Sequence, residues 1–360
     1  MSQILSPQTT VPYQLIREGI LMQPESGNPL EAEGVLNPAT ARASDGTLRL
    51  FARLVAAGNY SRVGTAHIEI HAGRPVGVHR DGVALEPERS WEYGLQHGGT
   101  EDPRITTVAP LGLHVMTYVA FGPTGPRPAL AVSEDAETWT RLGPIAFVYD
   151  DALGVDLNLY PNKDVVFFPD VVTGPDGTPS IAMLHRPMWD FSFTRPQEPA
   201  ALPTGIDDSR PSIWISYIRL AEVQQDIAAL TRPANHRLLA GPLYEWEQLK
   251  IGAGPPPVRT PEGWLLLHHG VSGEIVGSAF DLQTGVHYSV GAMLLDLDDP
   301  TVILARTELP LMSPELREER DGPVANVVFP TAIEEIDGTA FVFYGMADAR
   351  IGVARLERTA

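Results

Sequence analysis

The residues best suited to chemistry lie in one short stretch, His97-Gly98-Gly99-Thr100-Glu101-Asp102-Pro103-Arg104-Ile105-Thr106. It sets two carboxylates, an arginine and paired glycines directly before the apolar run Val108 to Val119. Such a cluster at the mouth of a strand suits proton transfer next to a bound polar substrate. A solvated turn holding a local Glu101–Arg104 or Asp102–Arg104 pair is the plainer reading of these residues alone. The outline of the motif recurs along the chain, and that recurrence favours chemistry.

Each recurrence is a proline-bearing segment, a tight turn and then an apolar strand. They begin at Asn37-Pro38, Asp102-Pro103, Phe168-Pro169, Gly254-Pro255 and Phe329-Pro330. Asp45-Gly46, Asp176-Gly177, Glu262-Gly263 and Asp337-Gly338 supply the positive-φ residue of a hairpin, while the second copy turns at Pro110-Leu111-Gly112. Strands rich in β-branched and aromatic residues flank these turns, and further hairpin partners follow, among them the segment Val276 to Leu282. Five hairpin-centred units at roughly 65–85-residue intervals predict an all-β, five-bladed β-propeller spanning residues 1–360 as one domain. Helical periodicity is scarce, the best short candidate being Leu220 to Leu230. In such a fold the inner strand ends would converge, bringing Asn37, Arg53, Asp102, Arg104, Lys163, Arg186, Lys250, His269 and Asp348 towards one pocket.

Composition narrows the function. The formal charge of −19 disfavours nucleic acid and anionic membranes, which call for basic patches, so an anionic ligand must be held by a few local cations. The absence of cysteine excludes disulfides and thiolate chemistry. No ring of His or Cys at short spacing suggests a metal, and no phosphate-binding glycine loop of nucleotide type is present. The N-terminal residues lack a basic segment followed by an apolar core, and no run approaches the ~20 apolar residues of a membrane span. The expected location is the cytoplasm; oligomeric state is left open.

The chain resembles glycoside hydrolase family 130, the inverting β-mannoside phosphorylases and mannosidases. The matching phrases are Asn37-Pro38-Ala39 with Arg53, Glu101 to Thr106, Lys163-Asp164 before Phe168-Pro169, and Leu184-His185-Arg186-Pro187. They continue with Lys250 to Pro257 (KIGAGPPP), Gly263-Trp264-Leu265 with His269-Gly270-Val271, Tyr288 to Asp296, and Phe329-Pro330 through Tyr344 to Asp348. In order they cover about residues 15 to 357.

The resemblance implies a five-bladed propeller and an inverting displacement with Asp102 as general acid, acting through a sugar hydroxyl. Inorganic phosphate would be co-substrate, with no separate cofactor, and an oligosaccharide the other partner. That role asks for an Asp102 pKa raised by enclosure and by the neighbouring Glu101 charge. Arg186, Lys250, Lys163 and His269, with the Tyr288 hydroxyl, are the phosphate-binding candidates. Asn37, Arg53, Arg104, Asp164 and Asp348 are the substrate-binding ones. Alternative partners for Arg186 are Asp170 and Asp190, and His185 reads equally well as a core histidine. Trp214 and Trp264 are read as core. Ser133-Glu134-Asp135 with Trp139 resembles the turn at sialidase-type blade corners.

The chain departs from the mannosyl-glucose phosphorylases, which carry Arg-Asn where Lys163-Asp164 stands. This moves the expectation to β-1,2-mannosides, a subgroup holding phosphorylases and hydrolases. A hydrolase would need a water-activating carboxylate, for which Glu245, Glu247 or Asp164 are candidates. The KIGAGPPP phrase, Arg186 and His269 favour phosphate. A non-catalytic sugar-binding propeller is the reading from another class.

Overall fold

The computed structural model describes residues 10–94, 97–189, 201–276, 283 and 285–359. The hairpin partner expected from Val276 to Leu282 and the alternative partner Asp190 fall almost wholly outside them.

The chain is all-β, as the turn pattern predicts, but the five-bladed propeller is not formed. The described strands make four open sheets, of four, five, five and eight strands, none closed or curled. The physical reason lies in the charged stretch itself. The first two units join into the eight-stranded sheet because Tyr60–His71 pairs in parallel with Gly98–Val108, Tyr60 opposite Gly98 and Ser61 opposite Gly99. Only glycine permits that approach. A Cβ at Gly99 would lie 2.1 Å from the Ser61 carbonyl oxygen, and one at Gly98 2.1 Å from that of Phe121.

The hairpins themselves follow the sequence. Asp337 and Gly338 both have positive φ and link Val328–Ile336 to Thr339–Met346 in a two-residue turn. Leu220 to Leu230 divides into a helix, Leu220–Gln225, and a 3-10 turn, Ile227–Thr231, whose start Asp226 caps by accepting the Ala228 N–H. Asp135 gathers the amides of Glu137 and Thr138 at 2.8 Å each, and Trp139 meets Phe51 edge-on, so that turn is a folding device. Trp214 and Trp264 are buried in apolar clusters between sheets.

One irregularity recurs where the sheets begin. Register shifts interrupt Gly34–Arg42 between Leu36 and Ala39, Gly98–Val108 between Glu101 and Arg104, and Asn162–Phe167 between Lys163 and Val166. Inside them Asn37, Asp102 and Asp164 adopt φ of 44°, 48° and 57°. Asp348, in the turn before the final strand Arg350–Arg358, has φ 52°. Asn and Asp tolerate this left-handed conformation better than other side-chain-bearing residues. Bulges of this kind re-aim a side chain that a regular strand would send into a sheet face.

Candidate active site

These bulged positions open onto one polar cluster. Asp102 accepts hydrogen bonds at the same oxygen from Asn37 Nδ2 (2.8 Å) and Arg53 Nη1 (3.1 Å). Arg53 also donates to Glu101 (2.9 Å), and Glu101 reaches Lys163 at 3.6 Å. Neither local pairing with Arg104 forms. Arg104 instead donates to Asp164 (3.2 Å), which also pairs with Arg186 and lies 3.6 Å from His269 Nε2. Arg186 thus takes Asp164 rather than Asp170, which pairs with Arg259. Lys250 lies over the Tyr288 ring, and His269 stacks between Tyr288 and Phe329. Asp348 feels the charges of Arg53, Asp102, Lys163 and Glu101. The expected acid and the expected phosphate- and sugar-binding positions therefore enter this cluster.

The electrostatics split it in two. Burial pushes the Asp102 carboxyl up, but Arg53 and Lys163 with the Asn37 hydrogen bond outweigh it and hold the group below its ordinary value. This corrects the expected raised pKa: the charges of Arg53 and Lys163, rather than that of Glu101, decide its sign. Asp348 carries the raised carboxyl instead. Burial, then the neighbouring Asp102 and Glu101 against the pull of Arg53 and Lys163, lift it to about 6. Asp164 is held far below the carboxylate range because the Arg186 and Arg104 guanidiniums outweigh its burial.

On the Asp164 side, buried donors outnumber acceptors. Arg104 Nε and Nη1, Arg186 Nη1 and both ring nitrogens of His269 lack a hydrogen-bond partner among the described residues. His269 is held well below its ordinary pKa by burial despite Asp164, with Arg186, Arg104 and Lys250 adding to the depression, so it is neutral and has one N–H to offer. Two buried guanidinium forks, a neutral imidazole and two nearby lysines have the chemistry to hold a compact oxyanion.

Crowding by Asp164 and His269 explains Gly252, the first of the two glycines of the KIGAGPPP phrase. A Cβ there would lie 2.2 Å from Asp164 Oδ2 and 2.4 Å from His269 Cε1. Gly252→Ala should therefore dislodge Asp164 and raise the apparent KM for phosphate by roughly tenfold or more, as expected when a supporting contact of an anion site is lost. Steady-state kinetics at varied phosphate checks this, and an unchanged KM would refute it.

The sequence reading missed a buried chain behind the cations. His185 is a core histidine, as one of its two readings held, yet it is also connected. His236 Nε2 must donate to the Val148 carbonyl (2.8 Å), so its Nδ1 accepts from Ser216 (2.8 Å). Ser216 then accepts from His185 Nε2 (2.8 Å), and His185 Nδ1 accepts from the Asn162 amide (3.0 Å). That leaves Asn162 Oδ1 for the Arg186 backbone N–H, at 3.1 Å. Burial keeps both imidazoles neutral, so each bond has a single direction. The chain pins the strand pair that presents Lys163 and Arg186. Its only sequence signal is two histidines and a serine at interior strand positions.

Glu247 is not part of the cluster. It binds His268 (2.9 Å), Arg306 (2.7 Å) and the amides of Leu243 and Tyr244, and is lowered to about 2 as these partners overcome burial. Glu245 is exposed on the same 3-10 turn.

Buried carboxyls beside a cluster of cations, on an all-β scaffold, suit an enzyme that hands a glycosyl group to an anion. A glycoside hydrolase family 130 profile, described as β-1,4-mannooligosaccharide phosphorylase, matches residues 218–359. A β-1,2-mannobiose phosphorylase of Thermoanaerobacter sp. (strain X514) is 30% identical over 288 residues, 78% of this chain and 76% of the relative. A 1,2-β-oligomannan phosphorylase of the same organism is 29% identical over 94% of each chain. The structure of a β-1,2-mannobiose phosphorylase from Listeria innocua, bound to β-1,2-mannobiose, shares the fold with a TM-score of 0.67 at 22% identity, covering 96% of each chain. The chain belongs to glycoside hydrolase family 130, the β-mannoside phosphorylases. It is an inverting β-mannoside phosphorylase with inorganic phosphate as co-substrate and no separate cofactor. No helix among the described residues is long and apolar enough to cross a membrane.

Proposed function

We propose that this enzyme phosphorolyses β-1,2-linked mannosides, with Asp102 as general acid and Arg186, Lys163, Lys250, His269 and Tyr288 holding phosphate. The observation that carries the phosphate assignment is the set of buried, unpartnered donors on Arg186 and His269. A phosphate oxygen attacks the mannosyl anomeric carbon from the face opposite the leaving group. The bond from that carbon to the glycosidic oxygen breaks, and the oxygen takes a proton originating at Asp102. The products are α-mannose 1-phosphate and a sugar shortened by one mannose.

In the free enzyme Asp102 is ionised, so its proton must come with the substrates. An anion seated beside Lys163 cancels that lysine's pull and raises the Asp102 pKa, coupling protonation to phosphate binding. Asp348, at about 6, holds a proton on the acidic side of neutrality next to Asp102. Asn37, Arg53, Arg104 and Asp348 are placed to meet sugar hydroxyls, while Asp164 acts on the sugar only through the cations it orients.

None of the three carboxylates expected as a base for hydrolysis is placed to serve as one. Asp164 is committed to two arginines, Glu247 to His268 and Arg306, and Glu245 faces solvent. The β-1,2 linkage is supported by the two Thermoanaerobacter relatives, which match over most of this chain, and by Lys163-Asp164 in place of Arg-Asn.

The test is incubation with β-1,2-mannobiose and, separately, β-1,4-mannobiose, each with and without phosphate, followed by ³¹P NMR. We expect α-mannose 1-phosphate from the β-1,2 disaccharide alone. Release of free mannose at the same rate without phosphate would end the phosphorolytic reading, and preference for the β-1,4 disaccharide would end the linkage assignment.

A further inference from the structure

We infer that the hairpin Tyr60–His71/Arg74–Leu85 carries a site for a divalent transition-metal ion of the zinc class, formed by His67, His79 and Asp81. His67 and His79 are direct cross-strand partners, and their rings stack with centroids 4.8 Å apart. Asp81 is the extra residue of a bulge, lying between the pairs Thr65↔Gly82 and Ala66↔Arg80 with no partner of its own. The bulge turns its carboxylate towards the two imidazoles. Nδ1 of His67 lies 3.2 Å from Asp81 Oδ1, and Nδ1 of His79 lies 3.3 Å from the same oxygen.

Those separations suit a shared ion. Ligands bonded to zinc at about 2.0–2.1 Å in a tetrahedron stand about 3.3 Å apart along each edge. All three donor atoms lie within 4.8 Å of one another. Drawing the imidazoles together asks only for small side-chain rotations, at exposures of 40% for His67 and 66% for His79. Two imidazoles and one carboxylate select borderline ions such as Zn²⁺ over Mg²⁺ or Ca²⁺, which prefer all-oxygen shells.

The surroundings are arranged for a ligating carboxylate. Arg49 donates to the other Asp81 oxygen, Oδ2, at 3.3 Å and is itself paired with Glu137. Asp81 is thereby held with its carboxylate facing the imidazoles, His67 Nδ1 standing 3.2 Å from each oxygen, the outer-shell support that metal-bound carboxylates commonly have. Glu137 offsets the arginine charge, and the chain's net charge of −19 favours cations near its surface. The sequence reading found no metal site because it looked for short spacings. Here His79 and Asp81 are close in sequence, but His67 lies on the preceding strand and the hairpin brings it opposite them. An ion would clip together a strand pair whose outer member, Arg74–Leu85, bonds only to Tyr60–His71 in its sheet.

The experiment uses the full chain without an affinity tag, stripped with chelator and titrated calorimetrically with ZnCl₂, with melting temperature and phosphorolysis measured alongside. We expect saturable binding of one ion per chain and a rise in Tm. His67→Ala/His79→Ala should lose both, and its phosphorolysis without metal should equal that of the parent. Arg49→Gln should keep the site but weaken it, by roughly ten- to a hundredfold as for lost outer-shell partners. In place of zinc, Co²⁺ should give the intense visible bands of a four-coordinate ion in the parent only. Absence of saturable binding, or binding that survives the double substitution, would overturn the site and leave His67 and His79 as hydrogen-bonded neighbours of Asp81.

Discussion

Replacing Asp102 by asparagine should lower kcat by about two to four orders of magnitude, the range a positioned general acid contributes, while the melting temperature stays close to that of the parent. The fold should tolerate the change because asparagine accepts the φ of 48° at this bulge. Arg53 keeps Glu101 at 2.9 Å and the Ser61 hydroxyl at 2.9 Å, so no guanidinium is stranded. Initial rates of mannose 1-phosphate formation, set beside thermal unfolding curves, separate the two effects. Near-normal turnover by a folded Asp102→Asn protein would remove the residue from the chemistry and leave Asp348 as the proton donor to test.

The largest loss of stability is expected from Asp164→Asn. The substitution is nearly isosteric and suits the φ of 57°, so its cost is electrostatic. Arg104 and Arg186, at 2% and 5% exposure, would face one another without a counter-charge. Breaking a buried pair in this way costs about 3–5 kcal/mol, or roughly 4–7 °C in Tm for a chain of this size. The sign with pH follows from the depressed carboxyl. Asp164 stabilises the fold above the unfolded carboxylate pKa of about 4, and that contribution is lost as pH falls towards the much lower folded value. The gap between parent and variant should therefore be full at neutral pH and narrow in acid. Equal melting temperatures at neutral pH would show that Asp164 does not hold the arginines together.

Much of the site was legible because polar and charged residues interrupt strands that are otherwise apolar. Asn37, Asp102 and Lys163-Asp164 stand out against the runs that follow them, and each proved to sit at a bulge. The hairpins were legible for the same local reason, since Asp-Gly turns declare themselves. What the sequence could not show depends on close approach between distant segments. Whether neighbouring hairpin units stay apart or merge is decided where Gly98 and Gly99 meet Phe121 and Ser61, and two glycines look the same in either outcome. The ionisation of Asp102 turned on Arg53 and Lys163, not on the adjacent Glu101. The His185–Ser216–His236 chain and the His67, His79 and Asp81 cluster have no marker until strands are paired.

The pairing of Tyr13–Met22 with Arg350–Arg358 has a consequence for how this enzyme comes into being. The strand nearest the start of the chain is the edge of the sheet that presents Asp348, so it must wait for segments synthesised more than three hundred residues later. During translation its apolar side has no native neighbour, and pairings of such long range are intrinsically slow to form. The sheet that presents Asp348 is therefore completed only when two segments far apart in the chain come together.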